Sequence, residues 1–243
     1  MTISKKKIFL IDGMALIYRA HYAMVYNQLT TSSGMHTSAI FGFVNSLLKI
    51  LNDEKPDFLA ICSDTKAPTF RHIRYDAYKA NRKPMPDELQ EQIPALYNIF
   101  KQSNIPLIKL DSYEADDVIG TITNLVDNKE NHIYIVSGDK DLMQLVNDST
   151  SVYSLGNKFK PTTIYNKKKV IDKWHLPPDK IIDYLALVGD SSDYNTLFQI
   201  FINGMQLPEN PEDLILGSRG GESSAIGSVL DFPDTAQICS RAI

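Results

Sequence analysis

Ile8-Phe9-Leu10-Ile11-Asp12 is an apolar run that stops on a carboxylate. The same pattern returns in Leu59-Ala60-Ile61-Cys62-Ser63-Asp64 and in Ile133-Tyr134-Ile135-Val136-Ser137-Gly138-Asp139. Short apolar runs bounded in this way read as buried strands. Helical patterns separate them. From Thr37 to Leu51, Ile40, Phe43, Val44, Leu47, Leu48 and Leu51 recur at three- and four-residue steps, with Thr37 or Ser38 as N-cap. Pro84 and Pro86 open a helix expected to run to about Ser103, and Glu114 to Val126 carries an apolar face of Ala115, Val118, Ile119, Ile122, Leu125 and Val126. Further strands are expected at 57–63, 106–110, 132–137 and 151–155, a short helix at 140–146, and helices at Val170–Trp174 and Asp179–Val188. Strands alternating with helices predict an α/β fold with a mostly parallel sheet. Ligands of such sheets bind beyond the carboxyl ends of the strands, which is where these carboxylates should converge.

Nine carboxylates belong to this set: Asp12, Asp64, Glu114, Asp116, Asp117, Asp139, Asp141, Asp190 and Asp193. Carboxylates sharing one site repel, and one takes up a proton unless a cation intervenes. Hard oxygen donors suit Mg²⁺ or Mn²⁺ rather than zinc. Two such ions about 4 Å apart are a recurrent device for hydrolysing phosphodiesters. A haloacid-dehalogenase-type phosphatase would also follow its first strand with an Asp, but needs a second Asp two residues on, where this chain has Met14.

Residues 70–83 are basic and aromatic. On a helix, Arg71, Arg74, Tyr75, Tyr78, Lys79 and Arg82 would share a broad face. Cations there neutralise phosphates and tyrosines stack on unpaired bases, so the segment suits single-stranded nucleic acid and lets a polyanion approach an acidic pocket. Thr37, at a helix N-terminus after Gly34-Met-His, is a weaker phosphate contact. The five histidines, His21, His36, His72, His132 and His175, lack metal-ligand spacing and read as structural or surface residues, and Trp174 as a core residue.

The bulk composition, 43% hydrophobic and 22% charged, is that of a globular protein, and no apolar run is long enough to span a membrane. Without a signal-peptide pattern, and with two cysteines, Cys62 and Cys239, that suggest no disulfide framework, the expected location is the cytoplasm. Residues 1–193 balance 23 Lys+Arg against 23 Asp+Glu. The net charge of −4 therefore lies in residues 194–243, where Arg219 and Arg241 face six acids.

Together these segments resemble the 5′-nuclease domain of bacterial DNA polymerase I and the related flap endonucleases. The matching pieces are Phe9-Leu-Ile-Asp12-Gly, Tyr18-Arg19-Ala-His-Tyr22, Thr37-Ser-Ala-Ile-Phe-Gly42-Phe, Asp64 with Thr69-Phe-Arg71, Tyr78-Lys79-Ala-Asn-Arg82, Glu114-Ala-Asp-Asp117, Ser137-Gly-Asp139-Lys-Asp141 and Val188-Gly-Asp190-Ser-Ser-Asp193. The resemblance implies a PIN-like sheet flanked by helices, with a helical arch at about 70–103 that admits a 5′ single strand. It implies two Mg²⁺ ions, with Mn²⁺ as a substitute, held by the nine carboxylates. Lys79, Arg82, Asp116 and Asp139 would be catalytic. Arg19, Thr37, Arg71, Arg74, Tyr75, Tyr78, Lys79, Arg82 and Lys83 would contact DNA.

The resemblance stops after Asp193, where the family continues into a Gly-rich, helix–hairpin–helix-like duplex grip and this chain reads Tyr194-Asn-Thr-Leu. The expected organisation is thus a nuclease domain over 1–193 and a divergent, weakly ordered tail over 194–243. The expected activity is 5′→3′ exonuclease and flap endonuclease action in DNA replication and repair. The expected substrate is DNA with a 5′ end or flap, and the expected state is a monomer, with any DNA polymerase on a separate chain. Two rivals remain open: a DNA-binding remnant with impaired catalysis, and an RNA-cutting PIN-type nuclease.

Overall fold

A computed structural model of the chain describes residues 5–75, 78–80, 82–157 and 159–188. The chain divides into two units, Met1–Pro178 and Asp179–Ile243. Asp190, Asp193 and the expected tail lie outside the described residues.

The first unit begins with β1 (Lys6–Asp12), α1 (Gly13–Ala23), α2 (Ser38–Glu54) and β2 (Phe58–Cys62). Short helices α3 (Phe70–Arg74) and α4 (Asp87–Gln90) precede α5 (Ile93–Gln102) and the two-residue strand β3 (Leu107–Ile108). The chain continues through α6 (Ala115–Val126), β4 (Asn131–Val136), a 3₁₀ turn at Asp141–Leu145, β5 (Thr150–Ser154), β6 (Thr163–Tyr165) and α7 (Lys167–Trp174). A 3₁₀ turn at Pro178–Lys180 leads to α8 (Ile181–Val188).

The six strands lie in the order β3-β2-β1-β4-β5-β6, all parallel except the last pair, β5 and β6. In this register Ile11 stands beside both Ile61 and Val136, and Asp12 beside Cys62. The strands therefore stop at one level, and the residues just past them share one edge. The order reverses between β1 and β4, the switch point at which open α/β sheets form ligand crevices. Asp12 ends one of these strands, and Ser137 follows the other.

Alternation divides each strand between the two faces. Phe9 and Ile11 pack with Leu16, Ile17 and Ala20 of α1, Phe43, Leu47 and Ile50 of α2, and Leu96 and Phe100 of α5. On the sheet, α6 lies against β1, β2 and β4. Gly13, the first residue of α1, allows the helix to start directly over β2. A Cβ there would meet the Cys62 carbonyl oxygen and Ile61 Cγ2, each at 2.9 Å.

Several expectations are corrected. Helix α1 was not foreseen, because Gly13 and the polar Tyr18-Arg19 pair mask its apolar face of Leu16, Ile17 and Ala20. The helix expected from Pro84 to Ser103 is two helices broken at Glu91–Gln92. The break turns fully buried Gln92 toward α2. Its Oε1 accepts from Ala39 N at 2.9 Å and Ile40 N at 3.3 Å, and its Nε2 donates to the Glu88 carbonyl at 2.5 Å. Gln92 thus caps α2, whereas Thr37 stands at the N-cap position without a side-chain bond. Because Leu89, Leu96 and Phe100 are buried, α4 and α5 belong to the body of the domain, and an arch has only the residues before Asp87 to draw on.

Among the described residues of the basic segment, helix is confined to Phe70–Arg74. Tyr75 is extended, and Lys79 takes a left-handed φ of 57°. On one straight helix Arg71 and Lys79 would be about 12 Å apart along the axis. Their partners, Glu114 and Asp117, are only one turn apart, so the chain bends to bring both cations to the start of α6. Trp174 is half-buried rather than a core residue, and its indole N–H donates to Met143 Sδ at 3.2 Å.

Candidate functional site

Asp12 is buried where β1 becomes α1. One oxygen caps α1 by accepting from Ala15 N at 3.0 Å, and the other accepts from Ser137 Oγ at 2.9 Å. Ser137 Oγ also accepts from Asp139 N at 3.0 Å, and Asp139 Oδ1 accepts from Asp141 N at 2.9 Å. A chain of hydrogen bonds thus crosses the switch point from Asp12 to Asp141. On the β2 side, Asp64 Oδ1 accepts from Ala115 N, an orphan amide of the first turn of α6, at 2.7 Å.

Asp116 is the electrostatic centre of the group. Burial, followed by the charges of Asp12, Asp139, Asp64 and Glu114, pushes its carboxyl up to about 8. Asp12 is also raised, by burial first and then by Asp64 and Asp139, against the lowering effect of Ala15 N and Ser137. Asp12, Asp64, Glu114, Asp116 and Asp139 therefore share one electrostatic neighbourhood. Such a donor set fits hard divalent cations, which would keep these oxygens ionised.

Cations from the basic segment lie on part of this set. Arg71 binds Asp117 through two 2.7 Å bonds and approaches Glu114 at 3.8 Å. Burial alone would weaken the hold of Arg71 on its proton, but the Asp117 and Glu114 carboxylates outweigh it and strengthen that hold. Lys79 Nζ donates to Glu114 Oε1 at 2.6 Å, and the Tyr78 hydroxyl to Oε2 at 3.1 Å. Burial and the Glu114 charge raise Tyr78, so it remains a proton donor. Glu114 and Asp117 also form a capping box at the start of α6. Among the described residues, no three His, Cys, Asp or Glu side chains stand close enough to hold one ion between them.

The remaining sequence candidates are dispersed. Arg82 is exposed, and its charge is felt by Tyr18 and Tyr78. Arg74, Tyr75 and Lys83 are exposed, with Arg74 stacked 5.9 Å from the Phe70 ring. Arg19 donates to the carbonyl of Gly156. Thr37 lines an apolar recess of about 380 Å³ with Leu29, Ile40, Phe41, Val44, Asn45 and Ile99. His36 pairs with Glu91 at 2.6 Å, His72 with Thr69 and His132 with Ser151. Sequence reasoning missed Ser137 as the link between Asp12 and Asp139. Its signals were its position at the end of a strand run and its place in the Ser137-Gly-Asp139-Lys-Asp141 segment, neither of which points to Asp12.

Residues 7–175 match the family described as 5′-3′ exonuclease, N-terminal resolvase-like domain. The chain is 43% identical over 189 residues to DNA polymerase I of Caldicellulosiruptor bescii, an alignment covering 77% of this chain and 22% of that protein. It is 39% identical over 188 residues to a 5′-3′ exonuclease of Aquifex aeolicus, covering 77% of this chain and 63% of that protein. The chain thus spans about a fifth of the polymerase and under two thirds of the exonuclease. In three dimensions it superposes on the T5 flap endonuclease, solved with DNA and metal ions, with a TM-score of 0.64 over 98% of this chain and 87% of that one. At 17% identity this likeness is one of fold, a mostly parallel, PIN-like sheet flanked by helices.

Proposed function

The chain belongs to the 5′-3′ exonuclease family through its N-terminal resolvase-like domain, and on that premise we propose that it is a divalent-metal-dependent nuclease that hydrolyses DNA phosphodiesters near 5′ ends and at 5′ flaps. The observation that carries this reading is the electrostatic pressure of burial and of Asp12, Asp139, Asp64 and Glu114 on Asp116, which pushes its carboxyl up to about 8. Such a group is unfavourable by itself and becomes favourable around cations. The metal is Mg²⁺, two ions per site, with Mn²⁺ as a substitute. When bound, these ions polarise the scissile phosphate, activate an attacking water and stabilise the leaving oxygen.

The chain's own residues have separable tasks in this reading. Asp12, Asp64, Asp116 and Asp139 supply oxygens at the carboxyl edge, joined by Asp141; Asp190 and Asp193, outside the described residues, are assigned as further ligands on the resemblance alone. Ser137 holds Asp12 and Asp139 in register. Glu114 and Asp117 hold the basic segment through Lys79 and Arg71 while no substrate is bound. Released from Glu114, the Lys79 ammonium reaches the transferring phosphate, where it opposes developing negative charge together with Arg82. Arg19, Arg74, Tyr75 and Lys83 contribute to holding the strand.

The reading is tested with a 5′-labelled flap DNA. Cutting is expected with Mg²⁺ and should be lost with EDTA and in Asp116→Asn. Substantial cutting by Asp116→Asn would remove that residue from the site. A second reading, a DNA-binding protein with impaired catalysis, is favoured by the commitment of Glu114 and Asp117 to cations. Flap binding without cutting by the folded, Mg²⁺-saturated wild type would select it.

A further inference from the structure

Residues 157–173 hold six lysines, Lys158, Lys160, Lys167, Lys168, Lys169 and Lys173, against the single acid Asp172, in a chain whose net charge is −4. Lys160, Lys167, Lys168, Lys169 and Lys173 are all exposed. Among the described residues, only Lys167 of these five has a carboxylate within salt-bridge distance, Asp148 at 3.9 Å.

The placement of three of them opposes stability. Lys167, Lys168 and Lys169 form the first turn of α7, a turn without an acidic residue; Asp172 lies in the last turn. The positive end of a helix dipole favours anions. Lys173 lies 4.8 Å from the Tyr165 ring and 5.5 Å from Trp174. Although the residue is exposed, desolvation of its ammonium, which lies 3.8 Å from Met143 Sδ, and then the Lys160 ammonium hold it below the usual lysine value. Like charges have thus been gathered where local energetics would disperse them, a pattern expected where a bound polyanion offsets the cost.

The described residues of the β5–β6 loop are tied together by local hydrogen bonds. In the β5–β6 loop, Asn157 Oδ1 accepts from Phe159 N at 2.8 Å and Lys160 N at 2.9 Å, and Gly156 N donates to Thr162 Oγ1 at 3.1 Å. The loop is so narrow that a Cβ on Gly156 would lie 2.5 Å from Thr162 N. Arg19 of α1 grips the Gly156 carbonyl and ties the loop to the candidate site's edge of the sheet. Strand β6 runs back from that edge, so α7 begins at the other end of the sheet, with Lys167 near Asp148. Along α7, Lys169 and Lys173 share one face, separated by about 6 Å of helix rise, and the Lys160 ammonium is within electrostatic reach of Lys173.

We propose that the β5–β6 loop and α7 form a backbone track for the double-stranded part of the DNA substrate, with Lys160, Lys168, Lys169 and Lys173 contacting successive phosphates. The inference rests on the nuclease reading for the identity of the polyanion. A duplex fits better than a single strand because Tyr165 and Trp174 lie beside the Lys173 ammonium instead of interleaving with the lysines as an exposed stacking platform.

The test compares the wild-type full chain with Lys160→Gln/Lys168→Gln/Lys169→Gln and with the matching triple arginine variant. Binding of a short blunt duplex and of a single strand of equal length is followed by fluorescence anisotropy across a KCl series in EDTA, with thermal melts to confirm folding. Each lost phosphate contact should remove about 0.9 from the slope of log K against log salt. The glutamine variant should therefore lose about 2–3 from the duplex slope and on the order of tenfold or more in duplex affinity, with single-strand binding unchanged. The arginine variant should retain the wild-type slope. An unchanged duplex slope, or equal losses on duplex and single strand, would overturn the track. Normal duplex slopes in a wild-type chain that cuts no flap would leave the track standing and remove the nuclease reading instead.

Discussion

Lys79 lies 2.6 Å from Glu114 in a left-handed backbone conformation that disfavours residues with a Cβ. A strained residue held by an ion pair is poised to move when its partner is engaged elsewhere. Lys79→Met should therefore raise Mn²⁺ affinity severalfold, because the ion no longer competes with an internal ammonium, while slowing flap cleavage at least tenfold and changing DNA affinity little. Calorimetric Mn²⁺ titration and single-turnover cleavage check both parts. A variant that lost DNA affinity alone would make Lys79 a docking residue. The carboxylates at this scale were legible because each follows an apolar run, as Asp12 follows Ile8–Ile11. Their partners were not. Nothing local to Glu114 announces Lys79, 35 residues away, or links Asp12 to Ser137, 125 residues away.

Among the elements, α2 shows how a long-range contact replaces a local one. Its start is capped by Gln92, 53 residues beyond Ala39, whereas the sequence offered Thr37 and Ser38. Ser38 is used differently, its Oγ accepting from Leu29 N at 2.8 Å. Gln92→Ala should cost about 1–3 kcal/mol, since it orphans the Ala39 amide in the interior. Urea unfolding checks this, and a loss below about 0.5 kcal/mol would mean another group takes over the cap. Thr37→Ala should stay within about 0.5 kcal/mol. The basic segment teaches the converse. Its cations recur at helical spacing, yet the helix ends at Arg74 because Arg71 and Lys79 must both reach the first turn of α6. Strand β6 gave no period to read, being three residues long and antiparallel.

For the molecule as a whole, the carboxylate cluster couples stability to pH and to metal. Asp116 titrates at about 8 in the folded protein against an ordinary 3.8. Between these values the folded state holds a proton that the unfolded state has released. The metal-free protein therefore loses stability on this account as pH rises from about 4 to about 8, and the raised Asp12 acts in the same direction. Mg²⁺ binds the ionised form, so the rise in Tm that it produces should be larger at pH 8 than at pH 5.5. Asp116→Asn should raise the metal-free Tm at pH 8 and flatten its pH dependence. Scanning calorimetry with and without Mg²⁺ decides this, and a Mg²⁺ effect independent of pH would dissociate the cluster from the metal. The sequence by itself determined the alternation of strands and helices, the parallel sheet and the edge on which the acids would gather, because burial imposes a period that each segment carries within itself. Only the tertiary structure decided which acids stand open and which are held by Arg71 and Lys79, where Gln92 caps, and how Lys160 comes within electrostatic reach of Lys173. Those outcomes depend on side chains meeting across the sheet and its connections, at separations that no local pattern encodes.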